Sequence, residues 1–153
     1  MKQRPEATAA DIRLAAMDLL ARREHSASEL TRKLLARGFD EPAVATVLQV
    51  LSAEGLQSDA RFAETFVYSR IQRGSGPAKI RAELRERGVA DVLIGDCMES
   101  SAGEWLERLR EVRAKKFGPD LPADYRERGR QTRFLQQRGF TMEQIARVLR
   151  DDE

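Results

Sequence analysis

The chain of 153 residues has little of what enzymes and disulfide-bonded proteins are built from. Its single cysteine, Cys97, excludes an intramolecular disulfide and a zinc site made of several cysteines. Its single histidine, His25, excludes most histidine-based catalysis and any site that needs two imidazoles. No long uncharged apolar run occurs, and Asp11, Arg13 and Asp18 interrupt the first apolar stretch. We therefore expect a cytoplasmic protein without a membrane-spanning segment, signal peptide, metal or cofactor.

Charge is plentiful but unevenly distributed along the chain. Charged residues make up 34% of the sequence, yet the net charge is only +2. Residues 61–87 hold seven Lys or Arg against three Asp or Glu, and residues 103–140 hold ten against six. Two such basic stretches fit a polyanion such as nucleic acid, or an acidic protein surface. Solvated helix faces would produce the same pattern, so charge alone does not decide between these interpretations.

A block of sequence recurs three times at intervals of about fifty residues. Its centre is Leu-x-x-Arg-Gly followed by an apolar residue, with the glycines at Gly38, Gly88 and Gly139. Counted from each glycine, positions −4, +1, +6, +9 and +10 are apolar in every copy. A glycine in the left-handed conformation ends a helix, and the residue after it packs on position −4. Each block therefore predicts a helix, a glycine turn and a second helix with a buried stripe.

A further helix precedes each block, because apolar stripes such as Ile12, Ala16 and Leu19 have helical spacing. No strand-like alternation occurs. We predict an all-helical protein, an elongated array of three tandem three-helix repeats. The predicted ranges are an N-terminal tail at 1–9 and repeats at 10–55, 56–101 and 102–153, the third with a longer loop at 118–122. Helix starts are predicted after Ser26, Asp40, Ser58 and Thr141 and at Pro77.

Several residues that could suggest chemistry have simpler interpretations. The segment 74–77 could cradle a phosphate, but Pro77 removes a backbone donor, and we interpret the segment as a turn between helices. We interpret His25 as a surface or capping residue. Cys97 occupies an apolar column of the repeat and is expected to be a small buried hydrophobe. Since no nucleophile–base pair or ligand cluster stands out, we expect no enzymatic activity. The acidic residues 151–153 are expected to form a solvated tail.

The candidate contact residues lie in the basic segment 58–88. Arg81 and Arg85 are one helical turn apart and share a face. Tyr68 lies in the same segment, where a partly exposed ring could stack on a nucleic-acid base. Carboxylates such as Glu83 could neutralise part of the positive charge. We predict electrostatic contact with a partner, without catalysis, by five cations: Arg70, Arg73, Lys79, Arg81 and Arg85.

The same segment resembles the RecX family, which regulates the bacterial RecA recombinase. Similar stretches occur upstream at 20–34 and downstream at 116–118 and 133–140, so the resemblance runs from about residue 10 to residue 150. One departure is Gln131, which is polar where the other copies have Leu30 and Ile80. The matching residues of the central segment are Asp59, Arg61, Phe62, Ala63, Phe66, Ser69, Arg70, Gly74, Gly76, Pro77, Ile80, Arg81, Leu84 and Gly88.

The resemblance implies a cytoplasmic, non-enzymatic, all-helical protein that binds the RecA filament on DNA. It further implies inhibition of ATP hydrolysis, strand exchange and co-protease function, and therefore a role in DNA repair by homologous recombination and in the SOS response. Weak binding of single- or double-stranded DNA is also implied, and we expect a monomer. The alternative is a sequence-independent DNA-binding module that acts without RecA, whose affinity would fall steeply with salt.

Overall fold

The computed structural model describes residues 7–150. Within this range the prediction of an all-helical fold is confirmed, since nine helices and no strand are present. None of these helices is both long enough and apolar enough to cross a membrane. Residues 1–6 of the expected N-terminal tail and the acidic tail 151–153 lie outside the described range. The helices are α1 Ala9–Arg22, α2 Ala27–Ala36, α3 Glu41–Ala53, α4 Asp59–Gln72, α5 Pro77–Glu86, α6 Asp91–Ser100, α7 Trp105–Phe117, α8 Tyr125–Gln137 and α9 Met142–Leu149.

The chain folds into two compact units. Unit 1 ends at Thr65 and includes Arg87–Val89, and unit 2 comprises Phe66–Glu86 and the residues from Ala90 onward. In unit 1, α1, α2 and α3 pack on one another. In unit 2, α5 packs on α6, while α7, α8 and α9 pack on one another. The buried cores include Ile12, Leu30, Leu34 and Leu51 in unit 1 and Leu109, Leu135 and Ile145 in unit 2.

The repeated apolar columns form these cores. All side chains at positions −4, +6, +9 and +10 from the glycines are buried, which confirms Cys97 as a buried residue. At position +1, the side chains of Val89 and Phe140 are buried, but that of Phe39 is only half-buried. Trp105, at the start of α7, is buried as well. Each large buried side chain contributes about 1.5–3 kcal/mol, so the columns supply much of the driving force for folding.

The repeated block turns at its glycine, as predicted. The φ angles are +90° at Gly38, +75° at Gly88 and +101° at Gly139, in the left-handed region. The N–H of Phe39 donates to the carbonyl of Leu34 at 3.3 Å, and the third block has the equivalent bond. This is the hydrogen-bond pattern of a Schellman cap, which satisfies carbonyls at the end of the helix.

In unit 1, the turn of the second repeat lies against the start of α2. The hydroxyl of Ser26 donates to the carbonyl of Arg87 at 2.7 Å. The approach is close, because a Cβ added at Gly88 would lie 2.5 Å from Ser28 Cβ. We call the contact of Ser26 and Ser28 with Arg87–Gly88 the first joint.

In unit 2, the turn of the third repeat lies against the start of α5 in the same register. The N–H of Gly76 donates to the carbonyl of Arg138 at 2.6 Å. A Cβ added at Gly139 would lie 2.8 Å from Lys79 N and would overlap Lys79 Cβ. We call the contact between Gly76 and Arg138–Gly139 the second joint. The segment 74–77 is thus the predicted turn between α4 and α5.

The predicted helix starts are confirmed, since α2, α3, α4 and α9 begin directly after the four predicted residues and α5 begins at Pro77. Ser26 and Thr141 form capping boxes, and Ser58 accepts from the backbone N–H of the third residue after it. Asp40 is the N-cap residue of α3, but the hydrogen bond expected of its side chain is absent. The physical reason is Pro42, the second residue of α3, which lacks one of the two N–H groups that a capping side chain would accept from.

His25 is buried, with 1% of its surface exposed, so its interpretation as a surface residue is wrong. Its Nδ1 lies 3.1 Å from the Arg23 carbonyl, and its Nε2 lies 2.9 Å from Lys33 Nζ. A carbonyl accepts and an ammonium donates, so these contacts favour the neutral ring with its proton on Nδ1. Burial lowers the pKa of His25 from 6.5; the Arg23 carbonyl opposes this, and the charges of Arg23 and Lys33 add to it.

Gln131, the departure noted in the sequence, occupies a core position of α8. It is 2% exposed, in the column that Leu30 and Ile80 fill in the other repeats. Its Nε2 donates to Glu127 Oε1 at 3.3 Å, while its Oε1 is buried without a hydrogen-bond partner in the described residues. The second helix of the third repeat therefore forms despite a polar residue in its core stripe.

Arg113 is a second buried polar residue of the third repeat, with 6% of its surface exposed. Its guanidinium donates to the carbonyls of Asp120 and Pro119 at 2.9 and 3.3 Å. These bonds anchor the loop between α7 and α8, which begins at Gly118 as predicted. The sequence did not predict this role, because a cation on a helix is usually solvent-exposed.

Candidate partner-binding and nucleic-acid interface

The predicted contact residues all lie in unit 2, on α4, on α5 and in the turn between these helices. Four of them have exposed side chains: Arg73, Lys79, Arg81 and Arg85. Arg70 is half-buried. The structure therefore leaves four of the five predicted cations accessible to a partner.

Arg70 is held by its neighbours. Its Nε donates to Glu83 Oε2 at 3.0 Å, and both side chains of this ion pair are only about one-fifth exposed. Its guanidinium carbon also lies 4.4 Å from the centre of the Phe66 ring, a cation–π contact. Glu83 thus neutralises one of the predicted cations, and Arg70 connects α4 to α5.

The two cations of one face of α5 differ in their surroundings. Arg85 pairs with Asp91 at 3.2 Å, but both side chains are more than half exposed, so the pair is worth little and can open. Arg81, one turn earlier, lines a shallow groove of about 430 Å³ beside Met98 and Trp105. Both guanidinium groups therefore remain able to meet an acidic partner.

Tyr68, the predicted base-stacking residue, is 69% exposed on α4. Tyr125, at the start of α8, is 91% exposed. Tyr125 was not among the predicted contact residues, because one aromatic residue outside an apolar stripe gives no clear signal. Exposed rings of this kind offer surfaces on which bases can stack.

A groove that the sequence did not predict lies between the last turn of α4, α7 and the end of α8, entirely within unit 2. Its volume is about 550 Å³. Glu111 is the one carboxylate among its lining residues. The five cations that line it are Arg73, Arg108, Lys115, Lys116 and Arg138. We call this the basic groove.

The side chains of the basic groove are partly fixed by one another. Glu111 accepts from Arg108 at 3.0 Å, so its charge is already balanced. Arg138 Nη2 donates to the carbonyl of Arg73 at 3.2 Å. Arg138 and Lys116 also lie over the ring of Phe134, at 5.9 and 5.6 Å from its centre. The groove therefore combines an excess of positive charge with an aromatic surface.

The basic groove was missed because its residues come from three separate stretches, 71–74, 108–116 and 134–138. Only the packing of the helices brings these stretches together. Gly74 permits the approach, since a Cβ there would lie 2.9 Å from Val112 Cγ2 and 3.0 Å from Arg138 Nη2. Gly74 was the one sequence feature that could have indicated this close approach, but it was interpreted only as part of a turn.

The chemistry available at these surfaces is recognition of anions. Arginine and lysine donate hydrogen bonds to carboxylates and phosphates, and neither acts on them without a reactive group nearby. In residues 7–150, no cluster of three or more His, Cys, Asp or Glu side chains could hold a metal ion.

The fold and the surface define an all-helical protein of tandem three-helix domains with an accessible group of cations in unit 2. Residues 13–51, 58–98 and 103–149 match the first, second and third three-helix domains of RecX, respectively. The chain therefore belongs to the RecX family. Regulatory protein RecX of Halorhodospira halophila is 52% identical over 134 residues, which cover 88% of this chain and 83% of that protein. Its counterpart in Ectopseudomonas mendocina is 48% identical over 139 residues, which cover 91% and 93%.

Solved structures support the fold. The crystal structure of RecX from Lactobacillus salivarius aligns with a TM-score of 0.79 and covers 92% of this chain and 94% of that chain. The two sequences are 20% identical, so this likeness shows the fold alone.

Proposed function

We propose that this protein binds the nucleoprotein filament of the RecA recombinase and mainly inhibits its ATP hydrolysis, strand exchange and co-protease activity. The observation that carries the proposal is the match of three successive RecX domains to residues 13–149. Its role is in homologous recombination and the SOS response. It acts in the cytoplasm as a monomer, and it regulates without catalysing a reaction of its own.

The repeated architecture and the exposed cations support this proposal. A filament presents identical protomers at regular intervals, and a tandem repeat presents similar helices in succession. Several modest contacts then combine, because the first one raises the effective concentration for the next. Electrostatic docking is assigned to Arg73, Lys79, Arg81 and Arg85, with Arg70 fixing the helix that precedes them.

Steady-state ATP turnover by RecA on single-stranded DNA tests the proposal. Addition of this protein in amounts below those of RecA should lower the turnover, because one bound molecule blocks extension or promotes disassembly of a filament. Unchanged turnover across a titration up to an excess over RecA would exclude the inhibitory role.

A pair of double variants tests the docking residues. Arg81→Ala with Arg85→Ala should raise the half-inhibitory concentration about three- to tenfold, since an exposed charge pair contributes up to about 1 kcal/mol. The matched control is Arg32→Ala with Arg37→Ala, which removes two exposed cations from α2 and its end. Helix content, measured by circular dichroism, should be unchanged in both. Equal losses of inhibition would mean that total charge matters and the assigned residues do not.

The second candidate function is sequence-independent DNA binding without RecA, which the basic groove favours. This function predicts an affinity for bare DNA that falls steeply with salt, because each neutralised phosphate releases counterions. If RecA inhibition persists at a salt concentration that abolishes binding to bare DNA, RecA is the relevant partner. If inhibition and DNA binding disappear together, the second function is the better description.

A further inference from the structure

We propose that the basic groove is a binding site for a nucleotide phosphate, carried by a DNA single strand or by a free nucleotide. This inference rests on the second candidate function and deepens it, because it names the residues that would hold a phosphate and a single strand or a free nucleotide as the ligand. It also names a site that is separate from the cations of α5.

The first argument is the charge balance of the groove. Five cations face one carboxylate, and that carboxylate already accepts from Arg108 at 3.0 Å. Like charges gathered in a cleft repel one another, and the cleft focuses their field on any anion that enters. The arrangement therefore stabilises a bound anion.

The competing explanation is that these cations only balance the negative ends of helices. Arg73 follows α4, Lys115 and Lys116 lie in the last turn of α7, and Arg138 follows α8. Each helix end carries about half a negative charge, so three ends offset only about 1.5 of the net charge of about four. A positive excess of more than two charges remains, enough for one or two phosphates.

The second argument is the shape and lining of the groove. A volume of about 550 Å³ lies within the range of about 300–1,000 Å³ for small-ligand sites, which suits one nucleotide better than a duplex. Val112 and Phe134 are half-buried beside the cations and give a base an apolar surface. Bases of a single strand are free to use such a surface, whereas those of a duplex are stacked inside it. An acidic peptide could pair with the cations of the groove, but it would leave the apolar surface of Val112 and Phe134 without a contact.

The third argument is that the groove is partly preorganised. Arg138 is fixed by the Arg73 carbonyl and by the ring of Phe134, so its side chain loses little freedom when it meets a phosphate. Gly74 keeps this guanidinium and Val112 close together. A ligand would therefore find its anchoring cation already in position.

Fluorescence anisotropy with a labelled oligothymidylate of about ten nucleotides tests the proposal on the full chain without RecA. Lys115→Gln with Lys116→Gln should weaken binding about tenfold at low salt and lower the salt slope by about 1.4, at about 0.7 per lost phosphate contact. The matched control, Arg126→Gln with Arg128→Gln, removes two exposed cations of α8 outside the groove and should change the affinity less than about twofold. Lys115→Arg with Lys116→Arg should restore binding.

Titration with ATP in place of the oligonucleotide distinguishes the two sources of phosphate. Binding of ATP that the Lys115→Gln, Lys116→Gln variant loses supports a free nucleotide, and binding of the oligonucleotide alone supports a strand. The proposal is overturned if neither ligand binds, if both glutamine variants lose equal affinity, or if a polyglutamate peptide binds the groove better than the oligonucleotide. Inhibition of RecA by the same variant is a separate readout, so failure of the groove and failure of the RecA proposal give different results.

Discussion

The first and second joints use the same carbonyl of the repeat but different donors. In unit 1 the donor is the hydroxyl of Ser26, and in unit 2 it is the backbone N–H of Gly76. The second joint adds a bond of 2.9 Å from Ala78 N to the Gly139 carbonyl. A shared backbone acceptor thus preserves the register, while the side chain of the donor residue can change.

The first repeat supplies an internal control for this comparison. Gly38 has a left-handed φ like the other turn glycines, yet a Cβ added there would meet no atom within 4 Å. Phe39, the next residue, is half-buried, while Val89 and Phe140 at the same position are buried. The turn glycine therefore has two separable roles, to permit the left-handed backbone and to permit close approach.

The largest effect is expected for Gly139→Ala, because both roles are lost. The left-handed conformation costs about 1–2 kcal/mol for a residue with a Cβ, and overpacking against the backbone of Lys79 adds about 1–3 kcal/mol. Urea unfolding measures the change in the free energy of unfolding. A cost no greater than that of Gly38→Ala would contradict the role of close approach.

Gly88→Ala should have an intermediate effect. The added Cβ would meet the side chain of Ser28, an exposed residue, and not backbone atoms as at Gly139. We expect a loss of about 2–3 kcal/mol, of which about 1–2 is backbone strain. The same urea titration measures it. A larger loss of unfolding free energy for Gly88→Ala than for Gly139→Ala would contradict this order. It would mean that Ser28 cannot move away from the added Cβ.

Gly38→Ala should cost about 1–2 kcal/mol, the backbone strain alone. The surroundings of Gly38 leave room for a methyl group, so no packing cost is expected. The difference in unfolding free energy between this variant and Gly139→Ala isolates the contribution of close approach. A loss well above the strain value would mean that the turn of the first repeat packs against something besides its own helices.

Acid should produce the smallest effect, confined to unit 1. His25 precedes Ser26 of the first joint, while Ser75 holds the equivalent place in the second. Burial keeps the pKa of His25 below 6.5 in the folded protein, so the unfolded chain takes up the proton first. The free energy of unfolding therefore decreases as the pH falls below about 6.5. Hydrogen exchange at Leu30 and Ile80 measures opening of the two units between about pH 7 and pH 5.

The charged groups that face His25 do not reverse the expected loss of stability in acid. Arg23 and Lys33 are cations whose charges oppose protonation of the ring, and Glu29 favours it more weakly. His25→Gln removes the titrating group, so it should flatten the pH dependence of exchange at Leu30. An equal acid response at Leu30 and Ile80, or no change in the variant, would contradict the assignment.

The features that repeat could be predicted from the sequence more fully than the features that occur once. Gly38, Gly88 and Gly139 and the apolar columns were predictable, because one local rule accounts for three copies of each. The exposure of His25 was predicted wrongly, because its buried ring is held by contacts with Lys33 and with the Arg23 carbonyl that the sequence pattern does not reveal. The start of α3 after Asp40 was predictable, but its capping hydrogen bond was expected without regard to the missing N–H of Pro42.

The basic groove shows a different limit of sequence analysis. Its cations lie in both basic stretches, but the pattern of charge does not reveal that Arg73 and Arg138 meet, 65 residues apart. The five contact residues could be proposed from the sequence because they lie within one short segment, and the structure adds their exposure and the pairing of Arg70 with Glu83. Their contact with a partner stays a prediction.

The guanidinium of Arg113 donates hydrogen bonds to two main-chain carbonyls of the loop between α7 and α8. Every amino acid carries such a carbonyl, whatever its side chain. These two bonds place no constraint on the side chains at positions 119 and 120, whereas Gly118 is constrained by its φ of +86°. A reporter peptide inserted after Ala123, beyond both carbonyls, would leave the hydrogen bonds of Arg113 intact. The loop thus offers a place to label the protein without disturbing either joint.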